Sequence, residues 1–175
     1  YANLKSISFL KDKFNLVIFG GSQRASFFSK TIPPSLCMLS DKKKSFLKVF
    51  HQVRPEEVES VKNFYSSKNI NAEVSNFFDN LPVLLNSSHL IISRSGASTV
   101  SEISAIKRPA ILIPFPDSID SDQKLNALNL QDTGQVVVCD QKDVDSEWFF
   151  KKINELIDSP NTLKEMIKIT NSKVY

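Results

Sequence analysis

The residues with the most chemistry per unit length stand at Arg94-Ser95-Gly96-Ala97-Ser98-Thr99, directly after the apolar run Leu90-Ile91-Ile92 and directly before a helical pattern. A buried strand that turns through glycine into a helix leaves unpaired backbone N–H groups aimed at one point, where the helix dipole favours an anion. Arg94, Ser95 and Thr99 are expected to add donors there, which makes the segment a candidate phosphate-binding turn. Glu102, three residues after Thr99, has two expected roles. It could close a capping box with Thr99 as N-cap. It could also accept both hydroxyls of a ribose, since a carboxylate has one oxygen for each O–H of a vicinal diol.

A second loop, Gly20-Gly21-Ser22-Gln23, follows the run Leu16-Val17-Ile18-Phe19. Paired glycines let a backbone approach a ligand closely, and Ser22 supplies a hydroxyl; a plain tight turn is the competing reading. A third loop, Phe115–Gln123, contains Asp120-Ser121-Asp122. A metal role for the two carboxylates is the weaker expectation. Asp122 and Gln123, placed just before a helix, are better suited to reading the hydroxyls of a sugar. His51 and His89 have no Ser/Asp or Cys partner near them in sequence and are expected to be structural. Cys37 and Cys139 show neither metal spacing nor the context of a thiol nucleophile.

The elements that must position these loops alternate. Strands are expected at 16–19, 46–50, 72–74, 90–93, 110–114 and 135–139. Helices are expected at 26–39, 55–67, 79–87 with Asp79 as N-cap, 99–106, 123–133, 145–158 and 161–169. Pro33-Pro34 is expected to break or restart the first of them. Lys42-Lys43-Lys44 reads as a solvated loop. Strands separated by helices imply an α/β fold, a Rossmann-like parallel sheet with helices on both faces. In such a sheet a ligand lies beyond the carboxyl ends of the strands. All three loops follow strands, so they should gather on one edge.

The chain has 175 residues, enough for one domain with a real core, expected to span 1–175. Apolar content of 41% and charged content of 23% are ordinary for a globular protein. A net charge of +3 is too small to indicate nucleic acid. Most of the thirteen Phe, among them Phe14, Phe19, Phe46, Phe50 and Phe64, fall at core positions. The only four glycines are Gly20, Gly21, Gly96 and Gly134, from which neither the G-x-G-x-x-G fingerprint nor a P-loop can be assembled. No apolar run approaches a membrane span, and the thiol usage fits a reducing compartment. Because the first residue is Tyr1, the chain is expected to be part of a longer one.

Five segments in order, Val17–Gln23, Asn76–Leu81, Ser93–Glu102, Pro109–Phe115 and Asp122–Ala127, resemble the C-terminal half of the MurG transferases, glycosyltransferase family 28. The Arg-Ser-Gly-Ala-x-Thr-x-x-Glu segment is the most specific. The resemblance implies one half of a GT-B enzyme that holds UDP-N-acetylglucosamine, transfers the sugar with inversion and needs no metal or other cofactor. It implies that backbone groups at Phe78 read the uracil. Ser22, Gln23 and the turn Arg94–Thr99 (with Ser95, Gly96, Ala97 and Ser98) would hold the diphosphate, Glu102 the ribose, and Asp122 and Gln123 the sugar. The base and acceptor groups would belong to an N-terminal domain absent here, so no catalytic residue is expected in this chain and it should bind donor without turnover. The lipid-linked acceptor would be met through that domain, on the inner face of the bacterial plasma membrane. Arg24 departs from the glycine usual in the family, and Asp122 from its usual Gln or His. Alternatives are the donor subunit of another GT-B transferase, such as the two-chain eukaryotic enzyme that makes dolichol-linked chitobiose, and a non-catalytic nucleotide-sugar module. A sugar-nucleotide epimerase shares the domain type, but its pattern of catalytic carboxylates and histidine is not found.

Overall fold

The structure, a computed structural model, describes residues 13–20, 26–118 and 122–172, with side chains to 167. Its strands are β1 (Phe14–Phe19), β2 (Leu47–Gln52), β3 (Ala72–Ser75), β4 (Leu90–Ser93), β5 (Ala110–Leu112) and β6 (Val136–Val138). They form one six-stranded sheet in the order β3-β2-β1-β4-β5-β6. Every pairing is parallel. Such strands are covered on both sides and read as continuous apolar runs, which is why β1 and β4 are buried at every position.

The helices are α1 (Ser26–Cys37), α2 (Asp41–Phe46), α3 (Val58–Ser67), α4 (Leu81–Ser87), α5 (Ala97–Ile106), α6 (Asp122–Gln131), α7 (Ser146–Asp158) and α8 (Pro160–Ser172). Alternating β1 side chains feed two cores. Phe14, Leu16 and Ile18 pack with Phe28, Ile32 and Leu36 of α1, Val61 and Tyr65 of α3, and Phe149, Ile153 and Leu156 of α7. Val17 and Phe19 pack with Leu84 and Leu85 of α4, Ile103 and Ile106 of α5, and Ala127 and Leu130 of α6. The α/β architecture expected from the alternating pattern is therefore the one observed.

Several local expectations are corrected. Pro33 and Pro34 lie inside α1 without breaking it. The buried ridge of Phe28, Ile32 and Leu36 outweighs the two missing amide donors. Lys42-Lys43-Lys44 is helical, not a loop: the Ser40 side chain caps α2, and Lys43 Nζ reaches Asn154 Oδ1 and Asp158 Oδ2 of α7, each at 2.6 Å. Pro55–Glu57 is a 3-10 turn ahead of α3. The residue preceding α4 is Asn80, not Asp79, and its side chain makes no cap bond. Asp145 does cap α7, accepting from Trp148 N at 2.8 Å.

Candidate functional site

β1 and β4 are neighbours at the centre of the sheet, with Phe19 in register with Ser93. The helix that follows β1 packs on one face and the helix that follows β4 on the other. This is the topological switch point of a doubly wound sheet, where diverging connections leave a crevice beyond the strand ends. Gly20 and Arg94 therefore stand side by side on the same rim. Gly21, Ser22, Gln23 and Arg24, and Asp120 of the third loop, lie outside the described residues.

The first turn of α5 faces this crevice. Its N-cap is Gly96, with φ −58° and ψ 152° and no capping side chain. The first helical backbone bond is Val100 N to Gly96 O, 3.0 Å. The amides of Ala97, Ser98 and Thr99 are thus the orphan donors of a helix start. Ala97 and Ser98 are exposed, and a Cβ built on Gly96 would meet nothing within 4 Å among the described residues. The turn is open above, with donors and a positive dipole end directed outward.

The capping box is overturned. α5 begins at Ala97, two residues before Thr99, so Thr99 is inside the helix and cannot be its N-cap. Glu102 is exposed and, among the described residues, makes no hydrogen bond or ion pair. It shares a helix face with Ser98 and Thr99, four and three residues earlier, while Ile103 and Ile106 take the buried side.

The donors expected from Arg94 and Ser95 are committed elsewhere. Arg94 is buried, with Nη1 donating to Ile113 O at 3.1 Å and Nη2 to Gln141 Oε1 at 2.7 Å. Its guanidinium also lies 5.0–5.4 Å from the rings of Phe27, Phe28 and Phe115. Ser95 is fully buried and donates through Oγ to Gln123 O at 2.7 Å. Gln123, also buried, accepts from Phe115 N at 3.0 Å through Oε1. Asp122 is exposed at the start of α6. Sequence spacing could not reveal these ties, because each spans between 8 and 47 residues.

Phe78 lies beyond β3 on the same rim, 93% buried against Phe50, with its carbonyl accepting from Leu81 N at 3.2 Å. Its neighbour Phe77, not singled out from the sequence, is 64% exposed. The doublet was visible, but which ring faced outward depended on the turn after β3, where Ser75 Oγ is tied to both the N–H and the carbonyl of Phe77. A cavity of about 280 Å³ opens beyond β5 and β6, with Phe115, Lys124, Asp140 and Lys142 in its wall.

The histidines are structural, as expected. Asn15 N donates to His89 Nδ1 at 2.9 Å, and the ring stacks on Phe14. His51 is wholly buried with Nδ1 2.9 Å from Tyr65 Oη, and burial pulls its pKa down to about 3. The same desolvation raises the pKa of the Tyr65 hydroxyl and of the free thiols Cys37 and Cys139. Among the described residues there is no group of three or more His, Cys, Asp or Glu that could hold a metal, and no helix is long and apolar enough to cross a membrane.

Residues 15–175 match the glycosyltransferase family 28 C-terminal domain. The chain is 45% identical over 153 residues to the UDP-N-acetylglucosamine--N-acetylmuramyl-(pentapeptide) pyrophosphoryl-undecaprenol N-acetylglucosamine transferase of Sinorhizobium fredii, covering 87% of this chain and 41% of that protein. It is 41% identical over 155 residues to the protein of the same name from Rhizobium etli, covering 89% of this chain and 41% of the relative. It therefore spans about two fifths of the length of these curated relatives. The crystal structure of Acinetobacter baumannii MurG superposes with a TM-score of 0.83 at 26% identity, over 97% of this chain and 50% of that one. The C-terminal CMP-Kdo binding domain of WaaA from the same species shares the fold, with a TM-score of 0.65 at 11% identity over 92% of this chain and 89% of its own.

Proposed function

The chain belongs to glycosyltransferase family 28, as a C-terminal domain, and from that premise we propose that residues 1–175 form one UDP-sugar-binding domain, the donor half of an inverting N-acetylglucosamine transferase. The observation that carries this is the uncapped first turn of α5, open above Gly96 at the β1/β4 switch point. Three outward amides and a positive dipole end suit a diphosphate, and they also suit the charge that grows on it as the sugar departs.

The roles follow from position. The amides of Ala97, Ser98 and Thr99 beside Gly96, with Ser22 and Gln23 of the loop after β1, hold the diphosphate. Glu102, on the same helix face and without another partner among the described residues, takes the two ribose hydroxyls. The backbone at Phe78 reads the uracil edge, and the outward ring of Phe77 offers a stacking face. Asp122 and Gln123 meet the sugar. Arg94 and Ser95 face away from the ligand, Arg94 bonded to Ile113 O and Gln141, and Ser95 to Gln123 O. In the reaction the acceptor hydroxyl attacks the anomeric carbon, the bond to the β-phosphate oxygen breaks, and UDP leaves into the dipole of α5. This chain supplies donor binding, orientation and leaving-group stabilisation without a metal ion. An N-terminal domain supplies the base and the lipid-linked N-acetylmuramyl-pentapeptide, at the cytoplasmic face of the plasma membrane in peptidoglycan synthesis.

Titration calorimetry on the chain tests this. UDP and UDP-N-acetylglucosamine should each bind once without added metal, and CDP more weakly. Absence of binding by either uridine ligand removes the proposal.

A further inference from the structure

The geometry points to Ser95 as a positioning residue that sets sugar discrimination: it fixes the sugar-facing start of α6 to the phosphate-facing start of α5. The inference rests on the donor-site reading above and concerns how its two halves are kept in register. Ser95 immediately precedes Gly96, and it is fully buried, so its side chain has no path to a ligand in the crevice. Its hydroxyl has one proton, and that proton goes to the backbone carbonyl of Gln123 at 2.7 Å. Gln123 in turn fixes Phe115 N through Oε1 at 3.0 Å, which closes the loop that runs from β5 to α6. Arg94 braces the same loop at its root, through the carbonyls of Ile113 and Pro114 at 3.1 and 3.4 Å.

Between Ser93 and Gln123 the chain makes a whole helix and a strand. An open cleft lined by Ala97, Ser101, Ser104 and Asn126 runs between α5 and α6, so without a cross-tie the two helix starts could shift against each other. The Ser95–Gln123 bond removes that freedom at the point where both helices begin. A nucleotide diphosphate touches only the α5 side. A sugar nucleotide must touch both, so it alone depends on their relative placement.

The test compares UDP with UDP-N-acetylglucosamine by calorimetry on wild type, Ser95→Ala, Gln123→Ala and the double variant. Ser95→Ala should leave UDP affinity within about twofold and weaken UDP-N-acetylglucosamine about fivefold, the worth of one buried neutral hydrogen bond. Ser95 donates to the backbone carbonyl of Gln123, which Gln123→Ala keeps, so Ser95→Ala should still weaken UDP-N-acetylglucosamine selectively in that background. Ser95→Cys, near-isosteric with a poorer donor, should show a smaller loss of the same kind and serves if the alanine variant does not fold. Equal weakening of both ligands, or unchanged sugar-nucleotide affinity, overturns the role of Ser95. Failure of wild type to bind either ligand overturns the donor-site reading instead.

Discussion

Removing the Glu102 carboxylate separates a ligand-binding role from a helix-stabilising one. Glu102 is the sixth residue of α5, beyond the first turn. Helical side chains lean toward the N-terminus, so its carboxylate overlies Ser98 and Thr99 and approaches the open turn. Glu102→Ala removes no partner among the described residues, and Ala is the better helix former by a few tenths of a kcal/mol, so stability should change by less than about 0.5 kcal/mol. Binding should change far more. A hydrogen bond to a charged group has a net worth of about 1.5–3 kcal/mol, and the pair of ribose hydroxyls at an exposed carboxylate sums to about 2–3 kcal/mol. At about 1.36 kcal/mol per tenfold, UDP affinity should fall about 30- to 150-fold. The assay is calorimetry with UDP and with 2′,3′-dideoxy-UDP, alongside urea unfolding. The deoxy ligand should bind wild type and variant alike. An equal loss for both ligands, or a stability loss above 1 kcal/mol with UDP binding intact, would refute the ribose assignment.

Two further outcomes concern the scaffold. His51 is held neutral with a pKa of about 3, below its value in an unfolded chain of about 6.5. Between those values the unfolded state carries the extra proton, so stability should fall with pH by about 1.4 kcal/mol per unit below 6.5. Urea unfolding at pH 7 and pH 5 should show a smaller drop in His51→Gln than in wild type, and equal drops would contradict this. Arg94→Met should cost about 3 kcal/mol by leaving buried carbonyls unpaired, and should lower Tm by about 6–12 °C in a calorimetric scan. A change of less than about 1 kcal/mol would mean water replaces the guanidinium there.

Much of the fold was readable because strand and helix signals alternate cleanly from Leu16 to Ile169 and the three unusual loops all follow strands. What misled was local chemistry that a distant contact overrode. Two prolines argue for a helix break, yet α1 continues because Phe28, Ile32 and Leu36 are sealed against the sheet. Three lysines argue for a loop, yet Lys43 finds Asp158 more than a hundred residues later. At the site, Gly96 stands at the turn, as its place after the apolar run indicates. Thr99 and Glu102 fit a capping pattern, yet the helix starts two residues earlier because Ala97 and Ser98 already take helical positions. Arg94 and Ser95 looked like ligand donors because carbonyl partners, which every residue possesses, leave no mark in a sequence.

The central position of β1 has a consequence for how the molecule is made. Its two edges are filled by β2 and by β4, and the latter comes more than seventy residues after it. Until that later segment docks, Asn15 lacks the acceptor on His89 and the crevice proposed for the nucleotide has only one wall. A uridine nucleotide therefore has nothing to grip during assembly. It should leave the rate of refolding untouched and act only as a brake on the reverse process, lengthening the life of the finished molecule.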